Sequence, residues 1–155
     1  MSTDNSNVSF EMSSLHAAYS EGATPQAIVA EVYRRINAVA DPGIFIHLRD
    51  ETEVIEEAST LPPFDAKAYP LWGIPFAIKD NIDLAGTPTT AACPAYAYNP
   101  ENDAFVVAKL KAAGAIPIGK TNLDQFATGL VGVRSPFPPP KNALDPDIVP
   151  GGSSA

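Results

Sequence analysis

Gly73-Ile74-Pro75-Phe76-Ala77-Ile78-Lys79-Asp80-Asn81 sets a short apolar run directly against an amine, an acid and an amide. Phe76, Ala77 and Ile78 give the run strand character, and Pro75, which has no N–H to donate, is tolerated near a strand's start or on an edge. Lys79 therefore stands where the strand ends, at the rim of its apolar face. Taken alone, such a lysine more often lays its stem along the surface and keeps its ammonium in water. Chemistry at Lys79 needs company from elsewhere in the chain.

Outward from this strand, helices and strands alternate. Downstream, Asp103 caps a helix whose apolar face is expected to comprise Phe105, Val106, Ala108, Leu110 and Ala113, with Gly114 as its left-handed terminator. Ala115 to Ile118 reads as the next strand, and Asn122 as the cap of a short helix over Leu123 to Thr128 that stops at Gly129. Upstream, Thr24 caps a helix, Pro25 takes its first position, and Ile28, Val29, Val32 and Ile36 line one face. Asp41-Pro42-Gly43 ends that helix. A short strand over Ile44 to Leu48 and an acidic helix from about Glu51 to Ser59 follow. Residues 1–22 read as a partly flexible lead. The alternation predicts an α/β layer.

Beyond Leu130 the texture changes. Pro136, Pro138, Pro139, Pro140, Pro146 and Pro150 forbid a regular helix and predict an extended Pro/Gly-rich loop over 130–155. It runs into Gly151-Gly152-Ser153-Ser154-Ala155, a turn with no element after it to pack against, which reads as truncation. The whole of 1–155 is expected to be the N-terminal portion of a single domain.

Composition narrows the functional classes. At 155 residues, 45% hydrophobic and 18% charged, the chain falls in the globular range. A formal charge of −8 and a pI near 4.5 oppose binding to phosphate backbones or anionic lipid, so nucleic acid and membrane partners are set aside. No basic, apolar leader opens the sequence, and a cytoplasmic location is the default expectation. Cys93 is the lone cysteine, which rules out an internal disulfide and a cysteine metal cluster.

Several motifs compete for attention. Gly114-Ala115-Ile116-Pro117-Ile118-Gly119-Lys120-Thr121 fits the written pattern of a phosphate-binding loop. Its context fails, because a helix precedes Gly114 and a stiff apolar strand fills the space where flexible backbone should cradle phosphates. Lys120 is then a strand-end lysine or one that supports a site from behind. Cys93 lacks a local activating partner and reads as a small packed hydrophobe, with His16 and His47 remote in sequence. His47, between Ile46 and Leu48, reads as a structural strand residue.

Three blocks together resemble the amidase signature family: Gly73 to Asn81, then Gly119-Lys120-Thr121-Asn122, then Pro150-Gly151-Gly152-Ser153-Ser154. The resemblance runs from Leu71 to Ala155 and implies that the chain is the front part of that α/β fold, a mixed sheet covered by helices. It assigns Lys79 as the catalytic lysine and Ser153 as the bridging serine of a Ser-cisSer-Lys relay, joined through a cis Gly152–Ser153 peptide. The nucleophilic serine and oxyanion-hole amides of the family lie further along than Ala155. Ser154 would support the relay from behind, and Ala127, Thr128 and Gly129 would line the substrate pocket.

Within the family, Thr89 to Ala95, Thr121 to Gly132 and Arg134-Ser135-Pro136 look like allophanate hydrolase. Phe137-Pro138-Pro139-Pro140 departs from the family texture, where a glycine-containing turn is usual. The resemblance implies hydrolysis of allophanate, the carboxylated urea made by biotin-dependent urea carboxylase, to ammonia and carbon dioxide, with no metal or organic cofactor. The chain alone, with a relay and no nucleophile, would be inactive, and the full-length form leaves room for a homodimer. Two alternatives stand beside it: an amidase resembling the enzyme component that amidates glutamyl-tRNA, and a non-catalytic fragment acting as an interaction module. In any such relay a lysine acts as a base only when neutral, and bringing an amine from a pKa of about 10.4 toward 7 takes about 5 kcal/mol of differential penalty on the ammonium.

Overall fold

A computed structural model describes residues 8–154. In chain order the elements are α1 (Met12–Ser20), α2 (Pro25–Val39), β1 (Phe45–Leu48), α3 (Glu51–Ser59), β2 (Pro75–Lys79), a 3₁₀ turn (Pro94–Tyr96), α4 (Phe105–Ala112), β3 (Ile116–Thr121) and a second 3₁₀ turn (Gln125–Ala127). The strands form one sheet in the order β1-β3-β2. β1 runs antiparallel to β3, with Phe45 opposite Thr121, His47 opposite Lys120, and an irregularity between them. Ile116 N–H bonds Ile74 C=O at one end of the β2–β3 pair and Asp80 N–H bonds Thr121 C=O at the other, so these two strands run the same way. The sheet is mixed, as the family resemblance implies.

The chain divides into two compact units. The first comprises the residues up to Val39, Arg49–Phe76 and Ala108–Pro117. Its core gathers Leu15, Tyr19, Ile28 and Trp72, with Phe64 packed against them. Trp72 meets Tyr19 edge-on at 4.8 Å and Phe64 at 5.1 Å, a geometry that sets ring edges against ring faces. The polar ends of these rings are satisfied: Trp72 Nε1 donates to Pro62 C=O at 2.8 Å and Tyr19 Oη to Gly73 C=O at 2.6 Å. α2 packs on α3. α2 starts as expected, with Thr24 Oγ1 accepting from Ala27 N–H, and α3 is capped by Asp50, whose carboxylate accepts from Thr52 and Glu53. Gly114, at φ 95°, follows α4 as its terminator.

The second unit comprises Ala40–Leu48, Ala77–Val107 and Ile118–Ala155. Its interior sets Asp80, Thr89, Lys120, Asn122 and Asp124, all buried, among buried apolar residues such as Ile78, Leu84, Ile118 and Leu123. From 128 to 154 the chain forms turns and isolated bridges without helix or strand, as its prolines require.

Four expectations need correction. Part of the lead, residues 1–22, is helical: α1 sends Leu15 and Tyr19 into the core, while residues 1–7 of that lead lie outside the described residues. The buried position of α4 is Val107, and Phe105 is 80% exposed, because three consecutive apolar residues leave the helix phase open. No regular helix spans Leu123 to Thr128. Phe126 and Ala127 take left-handed φ values of 53° and 55°, which break the turn, and Asn122 spends its amide on Gly43 and Pro138 carbonyls. Finally, β3 runs past Ile118 to Thr121, which makes Lys120 its last residue but one.

Candidate active site

β2 carries Lys79 on its last position, beside buried Ile78 and Asp80. Lys79 Nζ donates to Ser153 Oγ at 2.7 Å across 74 residues of sequence. The turn that delivers Ser153 is built from Gly151 and Gly152, whose φ values of 92° and 68° are open to glycine and strained for other residues. Gly151 N–H bonds Val131 C=O, and Ser153 C=O accepts from Asp124 N–H. No cis peptide occurs among the described residues, so the expected cis Gly152–Ser153 link is corrected to trans. The two left-handed glycines bring the serine to Lys79 without that distortion.

Behind Lys79 the backbone is pinned on several sides. Ile82 N–H bonds Lys79 C=O, Asp80 N–H bonds Thr121 C=O, and Asp80 C=O accepts from Ala91 N–H. Asp80 is wholly buried; its Oδ2 accepts from the backbone N–H and the hydroxyl of Thr90, and its Oδ1 faces Lys120 Nζ at 3.0 Å. Lys120 also donates to Thr89 Oγ1 at 2.9 Å and Pro88 C=O at 3.3 Å. An ion pair this deeply buried depends on its surroundings, and here Thr90 serves Asp80 Oδ2 while Thr89 and the Pro88 carbonyl serve Lys120 Nζ, with Asp80 Oδ1 left facing the ammonium without a hydrogen bond. Asp80, Thr89 and Thr90 were not singled out by sequence reading. Their one visible signal is an acid and a lysine each at the end of an apolar run, Ile78-Lys79-Asp80 and Ile118-Gly119-Lys120. The intervening Ile116–Ile118 is buried strand, the arrangement that disqualifies a phosphate loop.

Ala127 ends the broken turn, and Thr128 and Gly129 follow it. Ala127 N–H bonds Asp124 C=O, Thr128 is exposed with its hydroxyl on Gln125 C=O, and Gly129 is buried against Asp124. Phe126 N–H bonds Ala91 C=O and Gln125 Nε2 bonds Ala92 C=O, so a strained pair at Phe126–Ala127 is latched to a second at Ala91–Ala92, which also has positive φ. Asn81, Thr89, Ala91, Tyr96, Tyr98 and Phe126 line an open cleft of about 170 Å³. That is below the roughly 300–1,000 Å³ of sites for drug-sized ligands and suits a small molecule. Tyr98 donates to Asp83 Oδ1 at 2.7 Å, which pushes its phenol up to about 12. Ser154 is exposed and bridges Leu123; Cys93 is half-buried, and His47 serves as a strand residue opposite Lys120.

A family model described as Amidase matches residues 27–155. The chain belongs to the amidase family. It is 65% identical over 120 residues to the urea amidolyase of Lachancea kluyveri, covering 77% of this chain and 6% of that protein. It is 40% identical over 141 residues to a component of the glutamyl-tRNA(Gln) amidotransferase of Thermus thermophilus, covering 90% of this chain and 29% of that one. The structure of Kluyveromyces lactis allophanate hydrolase superposes with a TM-score of 0.76 at 38% identity, over 94% of this chain and 24% of that one. The chain thus spans a small fraction of the length of the relatives it matches. Among the described residues no helix is long and apolar enough to cross a membrane.

Proposed function

We propose that this chain is the N-terminal portion of a single amidase domain that hydrolyses allophanate to ammonia and carbon dioxide in the cytoplasm, coupled to a urea carboxylase activity. The observation that carries the reading is the Lys79 Nζ–Ser153 Oγ hydrogen bond of 2.7 Å in an amidase-family chain. The 65% identity to a urea amidolyase supports the substrate. In the proposed relay, neutral Lys79 takes the proton of Ser153 while Ser153 takes that of a nucleophilic serine contributed by a later segment; the serine hydroxyl serves because it both donates and accepts. The released alkoxide adds to the substrate's amide carbon, the C–N bond breaks as the proton returns through the same two groups to the leaving ammonia, and water deprotonated by the same relay then hydrolyses the acyl-serine and restores the nucleophile. Ala127, Thr128 and Gly129 contribute backbone to the pocket, and Ser154 supports the turn.

A second reading, glutamine-dependent amidation of glutamyl-tRNA, draws on the 40% identity to an amidotransferase component over nine-tenths of this chain. The test expresses the reading frame as its transcript carries it and measures ammonia release from allophanate with glutamine as competitor. Lys79→Ala and Ser153→Ala should each lower the rate by roughly 1,000-fold or more, as loss of one relay member does elsewhere. Near-normal turnover in either variant would overturn the relay. Release from glutamine in place of allophanate would select the second reading.

A further inference from the structure

We infer that Asp124 is the positioning residue of this site, a buried carboxylate that holds Ser153 in register with Lys79. The inference rests on the reading of Lys79 and Ser153 as a relay and adds the group that sets their geometry. Asp124 is 0% exposed, and its carboxylate oxygens accept three backbone N–H groups. Oδ2 takes Val131 at 3.0 Å and Gly132 at 3.1 Å, and Oδ1 takes Arg134 at 2.8 Å. Burial, the largest single influence, pushes the carboxyl up, and the amides of Arg134, Gly132 and Val131 together with the Arg134 charge hold the group below its ordinary value.

What the carboxylate gathers is the segment on which the serine turn leans. Val131 C=O accepts from Gly151 N–H, and Val131 bridges Gly152 in parallel. Asp124 closes the other side with its own backbone, its N–H meeting Ser153 C=O at 3.1 Å, while neighbouring Leu123 bridges Ser154. One residue therefore grips Ser153 directly through its main chain and indirectly through its side chain. Gly129 fits the same design: a Cβ there would sit 2.2 Å from Asp124 Oδ2, so an alanine would displace the carboxylate without touching its charge.

The experiment reads Lys79 without needing turnover. At neutral pH and low protein concentration, each lysine's rate of acetylation by acetic anhydride is measured by mass spectrometry in the 155-residue chain, with Lys67, Lys109 and Lys111 as internal references. Exchange of the Gly151 amide is followed alongside. Loss of the 2.7 Å bond between Lys79 Nζ and Ser153 Oγ frees the amine for the reagent, and a hydrogen bond at the strong end of the ordinary range makes that about a tenfold rise in Lys79 acetylation in Ser153→Ala. Asp124→Asn, which puts donors against donors, and Gly129→Ala should reproduce that rise and speed Gly151 exchange by about the same factor. Val54→Ala, a core truncation in the other unit, controls for general loosening and should leave both readouts alone. Wild-type Gly151 exchange and Lys79 acetylation in Asp124→Asn and Gly129→Ala would overturn the inference, as would an equal response from Val54→Ala. If Ser153→Ala itself leaves Lys79 unchanged, the relay reading falls, and Gly151 exchange alone then decides whether Asp124 holds the turn.

Discussion

Trp72 in one unit and Lys120 in the other are both buried, at 6% and 0% exposure, and the two are accommodated by opposite means. Around Trp72 the neighbours are Leu15, Tyr19, Ile28 and Phe64, and stability comes from apolar area and ring packing that tolerate small shifts. Around Lys120 the neighbours are Asp80, Thr89 and the Pro88 carbonyl, and each contact is directional. The difference teaches where precision is spent. The unit that holds Lys79 and Ser153 is ordered by buried charge and backbone amides, which cost more to assemble and fix atoms more tightly.

The comparison breaks most visibly at Asp80. Asp80→Ala leaves the Lys120 ammonium buried without its counter-charge and unfastens the Thr90 loop, so it should cost about 4 kcal/mol by denaturant unfolding. The double replacement Asp80→Leu with Lys120→Met should recover much of that loss, since replacing both charges by apolar groups of similar volume removes their desolvation penalty. A single Asp80→Ala within about 1 kcal/mol of wild type, roughly the spread of surface substitutions, would mean the pair is not closed. Next in size, Leu15→Ala in the aromatic unit should cost about 3 kcal/mol, with no partial rescue available from a second substitution. Its effect should be on the melt of the helical unit, with Lys79 acetylation unchanged.

Much of this contrast was legible in the sequence, though unevenly. α2, α3 and β2 declared themselves because caps, periodicity and apolar runs are local: Thr24-Pro25 marks a helix start that the side-chain bond realises. α1 escaped because Leu15 and Tyr19 stand among serines and alanines, leaving too thin a stripe to separate from a polar lead. The Lys79–Ser153 contact spans 74 residues, and only the family resemblance pairs them. Asp124 had no sequence signature at all, because its partners are main-chain amides of Val131, Gly132 and Arg134, and an amide is the same in every residue. The broken turn at Phe126 and Ala127 was hidden for a related reason, since neither residue type advertises a left-handed backbone.

A smaller effect sharpens the picture inside the aromatic unit. Tyr19→Phe keeps the ring against Trp72 and Phe64 but removes the 2.6 Å bond to Gly73 C=O, leaving a buried acceptor unmet. The expected loss is about 1 kcal/mol in thermal or denaturant melts. A loss as large as that of Leu15→Ala would show that this unit, too, depends on directional bonds, and the contrast would weaken.

The smallest effect compares two depressed carboxylates under acid. Arg34, first, and Arg35 hold Glu31 at about 2 through hydrogen bonds of 2.6 to 2.7 Å. Backbone amides hold Asp124 below its ordinary 3.8. Both folded values lie below the unfolded ones, so each contribution is complete above the unfolded value, near 4.5 for Glu31 and 3.8 for Asp124, and is lost as pH falls through the folded value. Salt separates them. Arg34 is 56% exposed, so added salt screens its attraction for Glu31, whereas the amides around Asp124 form fixed short-range bonds that ions do not reach. Acid titration of the wild type against Glu31→Gln, repeated at low and high salt, should therefore give a difference that shrinks as salt rises. The same comparison with Asp124→Asn should give a difference that does not. Equal salt sensitivity in the two would mean that Asp124 owes its depressed value to the neighbouring Arg134 charge more than to the amides, and the polar unit would then be ordered by ordinary surface electrostatics.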